Sequence, residues 1–184
     1  MTRPSPVKEM FVLEPANPPP AAKTQPGLLR IGTVTVGAPY RGRAFVFRES
    51  DLKYETDYYH EFLVAPGANI GEATARALAA AKVFASVAPS GVVSDPDWVL
   101  EAFVDALYGD ARDVSKPVAV LTITYYLRRG EGDGGVPVWS RRYERRQPFT
   151  SGSASAYANA LNAAFGDILS ELVRDLSALS LPAR

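Results

Sequence analysis

The strongest constraint on this chain is an apolar stripe near its end. Tyr157, Leu161, Phe165, Ile168, Leu172, Leu176 and Leu179 recur at spacings of three and four, the period that gathers side chains on one face of an α-helix. Ser153, in SGSAS, stands where a side-chain oxygen accepts from the first helical turn, and Pro182 stops the run. The spacing predicts a helix of about seven turns. Its apolar face needs a second layer to lie on, and a sheet fits.

The residues before it supply one. In Pro117–Arg128, Ala119, Leu121, Ile123, Tyr125 and Leu127 share a face, with Thr122 and Thr124 opposite, the period of two of a strand. Val138–Phe149 pairs back, with Trp139, Tyr143 and Phe149 on one parity, and RGEGDGGVP between the two reads as a hairpin loop. Trp98–Leu107 is dense in apolar residues, with Glu101 and Asp105 four apart. A strand with both acids on one face fits, and a helix stays open. Leu28–Val36 is rich in β-branched residues, but Leu29 and Ile31 have one parity and Val34 and Val36 the other. A bulge near Gly32, or burial on both faces, would explain the change of phase.

GAPYRGR is a turn and AFVFRE a further strand. Leu52–Val64 alternates next: Leu52, Tyr54, Tyr58, His60, Phe62 and Val64 on one side, Lys53, Glu55, Asp57, Glu61, Tyr59 and Leu63 on the other. Core packing beneath the long helix is expected for Tyr54, Tyr58 and Phe62. After Ala65-Pro-Gly, Asn69 with Glu72 three residues on has the spacing of a capping box. It predicts a helix to about Lys82, with Ile70, Ala73, Ala77, Leu78 and Ala81 on one face. VFASVAPSG is a short strand and a turn. The sum is α+β: a single mixed, mainly antiparallel sheet with two main helices packed on one face.

Seven of the 15 prolines fall in the first 26 residues. Residues 1–27 therefore read as a Pro-rich linker, with a short strand near 10–14, and 28–181 as one domain. The length of 184 residues suits one domain with a sizeable core. With 20 basic and 20 acidic side chains the net charge is zero, which argues against nucleic acid as the main partner. There is no cysteine, so disulfides, thiolate zinc sites and cysteine nucleophiles are excluded. No apolar run reaches the roughly 18 residues of a membrane-spanning helix. Met1 leads straight into TRPSPVKE, so no signal peptide is read, and an exported protein would carry its targeting segment upstream.

Four stretches set out a family order: FVLEP, then IGTVTVGAPYRGRAFVFRESD, then LKYETDYYHEFLVAPGANIGEATARAL, then VWSRRYERRQPF followed by SASAYANALNAAFGDILSELVRDL. From about Phe11 to Leu179 this order resembles the ABC-type transport auxiliary lipoprotein family, the small partners of transporters that carry mammalian-cell-entry (MCE) domains. The resemblance lies in fold patterns and involves no catalytic motif. Members begin their mature chain at a lipid-modified Cys, absent here. They often carry Trp just before the Pro that opens the first helix, where this chain has Phe62–Leu63. The resemblance implies a non-enzymatic periplasmic protein, lipid-anchored to a membrane in its full-length form. It would assist lipid or hydrophobic-molecule transport by contacting ABC-transporter and MCE components, with a ring of subunits as one arrangement. A generic periplasmic or outer-membrane assembly module of related fold is the alternative.

No catalytic, cofactor or metal residues are assigned. His60 is the only histidine. A base role needs a nucleophile and an orienting acid, and a metal needs further ligands, whereas Asp57 and Glu61 have the opposite parity. GEGDGG (130–135) lacks both the GK[ST] and following helix of a phosphate loop and the acids of a calcium loop. Arg128, Arg129, Arg141, Arg142, Arg145 and Arg146 crowd two paired strands. They are candidates for an acidic partner surface or anionic lipid headgroups, weighed against a charged edge that merely resists aggregation. Tyr59, on the charged parity, is the candidate aromatic contact.

Overall fold

The computed structural model describes residues 7–91, 95–130 and 136–182. The elements run β1 (Glu9–Phe11), β2 (Gln25–Val36), a 3-10 turn (Ala38–Tyr40), β3 (Ala44–Arg48), β4 (Tyr54–Phe62), α1 (Pro66–Ala80), β5 (Phe84–Ala88), β6 (Trp98–Asp110), β7 (Val118–Arg129), β8 (Trp139–Pro148) and α2 (Ala154–Ala178). The expected hairpin loop falls largely on residues 131–135, which lie outside the described residues.

β6, a strand along its whole length, organises the sheet. One of its edges carries β7 in an antiparallel ladder, and β8 pairs antiparallel with β7. Its other edge is shared. Leu29–Val36 of β2 pairs in parallel with Trp98–Val104, and Phe47–Arg48 of β3 with Gly109–Asp110. The register of β6 shifts between Val104 and Ala106, and such a bulge bends a strand. The sheet therefore forks. One arm is β2–β5, and the other is β3–β4–β1. The phase change in β2 is a register shift between Ile31 and Val34, the expected bulge.

Both helices cover one face and touch each other, α1 on β2 and β5, α2 on β7 and β8. The stripe of α2 is the centre of the core: Tyr157, Leu161, Phe165, Ile168, Leu172 and Leu176 are fully buried, with Leu121, Ile123 and Leu127 of β7 equally so. The Ser153 side chain accepts from the Ala156 N–H at 3.1 Å. Ser153→Ala is expected to cost about 1 kcal/mol, read as a lower urea midpoint with unchanged slope.

α1 starts earlier than the capping-box spacing predicts. Pro66 sits in the first turn after Ala65, where its missing N–H costs nothing and its φ suits a helix. Asn69 is therefore inside the helix, and 4% exposed. It has other work. Its Oδ1 accepts the Leu13 N–H and its Nδ2 donates to the Leu13 carbonyl, both at 2.9 Å. Leu13 belongs to a strap that joins β1 to β2 by crossing the helices. On α2, Asn162 holds the flanking residues, accepting from the Glu14 N–H at 2.6 Å and donating to the Val12 carbonyl at 3.3 Å. The strap then bonds its Ala21 N–H to the Ala81 carbonyl at 2.8 Å. At its end the buried Gln25 amide donates to the Leu176 and Leu179 carbonyls at 3.0 and 2.6 Å, satisfying the end of α2.

β4 departs from strict alternation. Phe62 is buried, but Tyr54 and Tyr58 are 41% and 72% exposed rather than packed under α2. The reason is local. β3 pairs Ala44 with Glu61 but Val46 with Thr56, so β4 holds extra residues between. There the Asp57 carboxylate accepts the N–H groups of Tyr59 and His60 at 2.8 and 3.1 Å, a side-chain turn that competes with the ladder. The same turn brings Asp57 Oδ2 to 2.6 Å from His60 Nδ1, a contact that parity argues against.

A candidate interaction surface

Among the described residues no helix covers the second face of the sheet. Alternation along β8 decides what reaches it. Arg141, Tyr143 and Arg145 point toward α2, while Arg142, Glu144 and Arg146 point to the open face. The six arginines are thus not one patch.

On the helix side they are structural. Arg141 pairs with Glu171 at 2.7 Å and Asp175 at 2.8 Å, and Arg145 pairs with Glu171. The buried Tyr143 hydroxyl donates to Asp175 at 2.6 Å. The Arg145 hydrogen bond holds the Glu171 carboxyl below its ordinary pKa against the opposing effect of burial. Burial pushes the Tyr143 hydroxyl well above its ordinary value, and its bond to Asp175 adds to this. These contacts clamp β8 to α2.

On the open face, Arg128 pairs with Glu101 of β6. Arg142 is 60% exposed and only loosely paired with Glu144 at 3.8 Å. Arg146 reaches Asp110 at 2.9 Å, and Asp110 also takes two bonds from the Arg112 guanidinium, at 3.0 and 2.9 Å. Arg112 in turn reaches Asp51 at 2.9 Å. The Arg112 bonds, helped by Arg146, hold the Asp110 carboxyl far below the usual carboxylate range although burial works against this. Beside this centre Tyr40 stacks on Tyr108 at 5.8 Å, Tyr54 meets Tyr108 edge-on at 5.7 Å, and Arg48 lies over Tyr54 at 5.6 Å. Burial and the neighbouring Tyr54 push the Tyr40 hydroxyl up to about 12. Sequence reasoning missed this cluster, because its members are brought together only by the pairing of β3 with β6 and by Arg146 of β8 reaching Asp110 of β6 across the intervening β7.

Arg129 is exposed at the end of β7 and makes no ion pair among the described residues. Tyr59 is 42% exposed and meets Tyr58 edge-on at 5.1 Å, forming an aromatic pair at the other end of the sheet. The structure thus separates Tyr59 from the arginines. His60 is held by Asp57, with Glu9 at 4.0 Å on its far side. No group of three or more metal-ligating side chains occurs among the described residues, and no helix there is long and apolar enough to cross a membrane.

The architecture places the chain among open mixed α+β sheets with helices on one face. The protein XCC0632 of Xanthomonas campestris, assigned in its description to family DUF330, superposes with a TM-score of 0.78 at 18% identity, covering 90% of this chain and 92% of that one. A second solved structure, described as an uncharacterized protein, gives 0.72 at 15% identity over 92% and 99% of the two chains. These identities establish likeness of fold alone. A looser match, TM-score 0.44 at 17% identity over 86% and 93%, is to PelC of Paraburkholderia phytofirmans, solved as a dodecamer. No curated protein matches the sequence significantly. The model of the ABC-type transport auxiliary lipoprotein component family matches residues 11–173, and the chain belongs to that family. It is an auxiliary component of transport rather than a member of an enzyme family, and of a lipoprotein kind, hence membrane-associated.

Proposed function

We propose that this protein is a non-enzymatic accessory subunit of an ABC transporter of the MCE type. It is tethered to a membrane and lies in the periplasm, where it assists the passage of lipid or another hydrophobic molecule. It works through contacts with transporter and MCE components and with further copies of itself. The observation that carries this reading is the family match over residues 11–173. The fold is in keeping with it: helices occupy one face, and the other presents tyrosines and arginines, residue types suited to protein contact.

The arginines now divide into two groups for testing. Arg141 and Arg145 hold α2, so reversing their charge would damage the fold. Arg129 and Arg142 are the cleaner probes of an acidic partner surface or of anionic headgroups. Arg129→Glu with Arg142→Glu is expected to leave stability within about 0.5 kcal/mol. It should weaken co-purification with the co-expressed transporter, or flotation with phosphatidylglycerol vesicles, about tenfold. Unchanged behaviour in both assays would remove the arginine surface from the proposal.

A further inference from the structure

The chain is membrane-associated by family, and a domain held at a membrane turns one part of its surface to the lipid. The arm β3–β4–β1 shows which part. Seven of the thirteen exposed large apolar side chains among the described residues fall in two short stretches, 7–12 and 58–64. These stretches are neighbours, since β1 runs parallel to β4 with Met10 opposite Glu61 and Phe11 opposite Phe62. The Leu63 N–H donates to the Phe11 carbonyl at 2.7 Å. That bond carries the ladder one step further and sets Val12 beside Leu63.

Alternation then sorts the side chains. Phe11 and Phe62 both pack on Phe45, on the helix side. Met10, Val12 and Leu63 take the opposite, open face, and all three are exposed. Lys8 shares their parity and lies over the Tyr58 ring at 5.1 Å, and Tyr58 meets Tyr59 edge-on. The acid on this face is Glu61, which is buried and held by Arg43 at 2.7 Å and Lys8 at 3.5 Å. Its charge is matched by either cation alone, so the patch is positive by one charge. Asp57 does not change that balance, because its carboxylate is turned to His60.

We infer that this patch is the surface by which the domain rests on a lipid bilayer. Met10, Val12 and Leu63 enter the boundary between headgroups and acyl chains, the depth reached by apolar side chains of interfacial proteins. The tyrosine pair sits at headgroup level. Lys8 and Arg43 reach lipid phosphates from their apolar stems. A second copy of the chain fits less well: a two-fold contact sets a patch against itself and would bring the same cations together.

This inference rests on the lipoprotein kind of the family and not on the proposed transporter. Failed co-purification with a transporter leaves it standing, and its own failure leaves the accessory role untouched. The chain has no cysteine, so single-cysteine variants take one environment-sensitive NBD label each. Leu63→Cys reports on the patch, and Val114→Cys, an exposed apolar position between β6 and β7, is the control. Each labelled protein carries a hexahistidine tag after Arg184. It is held on phosphatidylcholine–phosphatidylglycerol vesicles containing a nickel-chelating lipid, so weak intrinsic affinity does not hide the contact. We expect the label at position 63 to brighten several-fold and shift to the blue on vesicles, and the label at 114 to stay as in water. Adding Met10→Ser and Val12→Ser to the Leu63→Cys protein should remove most of that gain with an unchanged melting temperature. No change at position 63, equal changes at 63 and 114, or a gain that survives the serine substitutions would each overturn the inference. Shielding of the 63 label only when a partner protein is added would overturn it too, making the patch a protein contact.

Discussion

Asn69→Leu is expected to lower stability by about 3 kcal/mol and to release the strap from the helices. Leucine is close to asparagine in size, so no large cavity contributes. What is lost is a pair of hydrogen bonds inside the protein. The Leu13 N–H and carbonyl both end on the Asn69 amide, and Leu13 is 1% exposed, so water cannot replace the lost partner. A buried backbone group left without one costs about 1–3 kcal/mol, and here there are two. Asn162→Leu is the contrast. It removes similar bonds to Val12 and Glu14, but these are exposed, and water will serve, so the loss should stay near 1 kcal/mol or less. Urea unfolding gives the energies, and amide exchange at Val12–Glu14 reports release of the strap. An Asn69→Leu protein as stable as the parent would mean that the strap is not fastened through this amide.

The same residue marks the limit of what the sequence discloses. Asn69 and Glu72 have capping-box spacing, and the pattern is genuine as a pattern. Pro66 begins the helix before it, and the asparagine is left to serve a segment far away in sequence. Gln25 is a stronger case: it satisfies the end of α2 from 151 residues away, and no local signal can announce that. By contrast the α2 stripe, the β7 alternation and the β2 phase change are set by short-range periodicity, and they were readable. β4 failed at one point. Asp57 turns the strand on itself and carries Tyr58 outward, an outcome that depends on one carboxylate choosing backbone N–H groups. For the arginines the sequence discloses number and neighbourhood. The division into helix-clamping and open-face groups follows from pairing β8 with β7 and laying α2 on one side.

The centre of the open face should reveal itself in its response to acid. Asp110 is 5% exposed and anchors Arg112 and Arg146, whose side chains are 40% and 44% exposed. Asp110→Asn keeps the shape but removes the charge, leaving Arg146 without its described partner and Arg112 with Asp51 alone. Loss of one partner from a buried pair costs about 3–5 kcal/mol. Because water reaches both guanidinium groups, about 2–3 kcal/mol is the reasonable expectation at neutral pH. The sign of the pH dependence follows from the depressed folded-state pKa. The unfolded chain binds a proton at Asp110 near pH 4, whereas the folded protein resists it. The stabilisation is therefore complete above about pH 5 and drains away as the pH falls below about 4. The difference in stability between parent and Asp110→Asn should narrow steadily from pH 5 to pH 2. Glu171, also depressed, titrates in both proteins and drops out of the comparison. A gap that stays constant over that range would mean that Asp110 is not held as an anion by its arginines. The β3–β6 junction would then owe its stability to the Tyr40–Tyr108 and Tyr54–Tyr108 contacts instead.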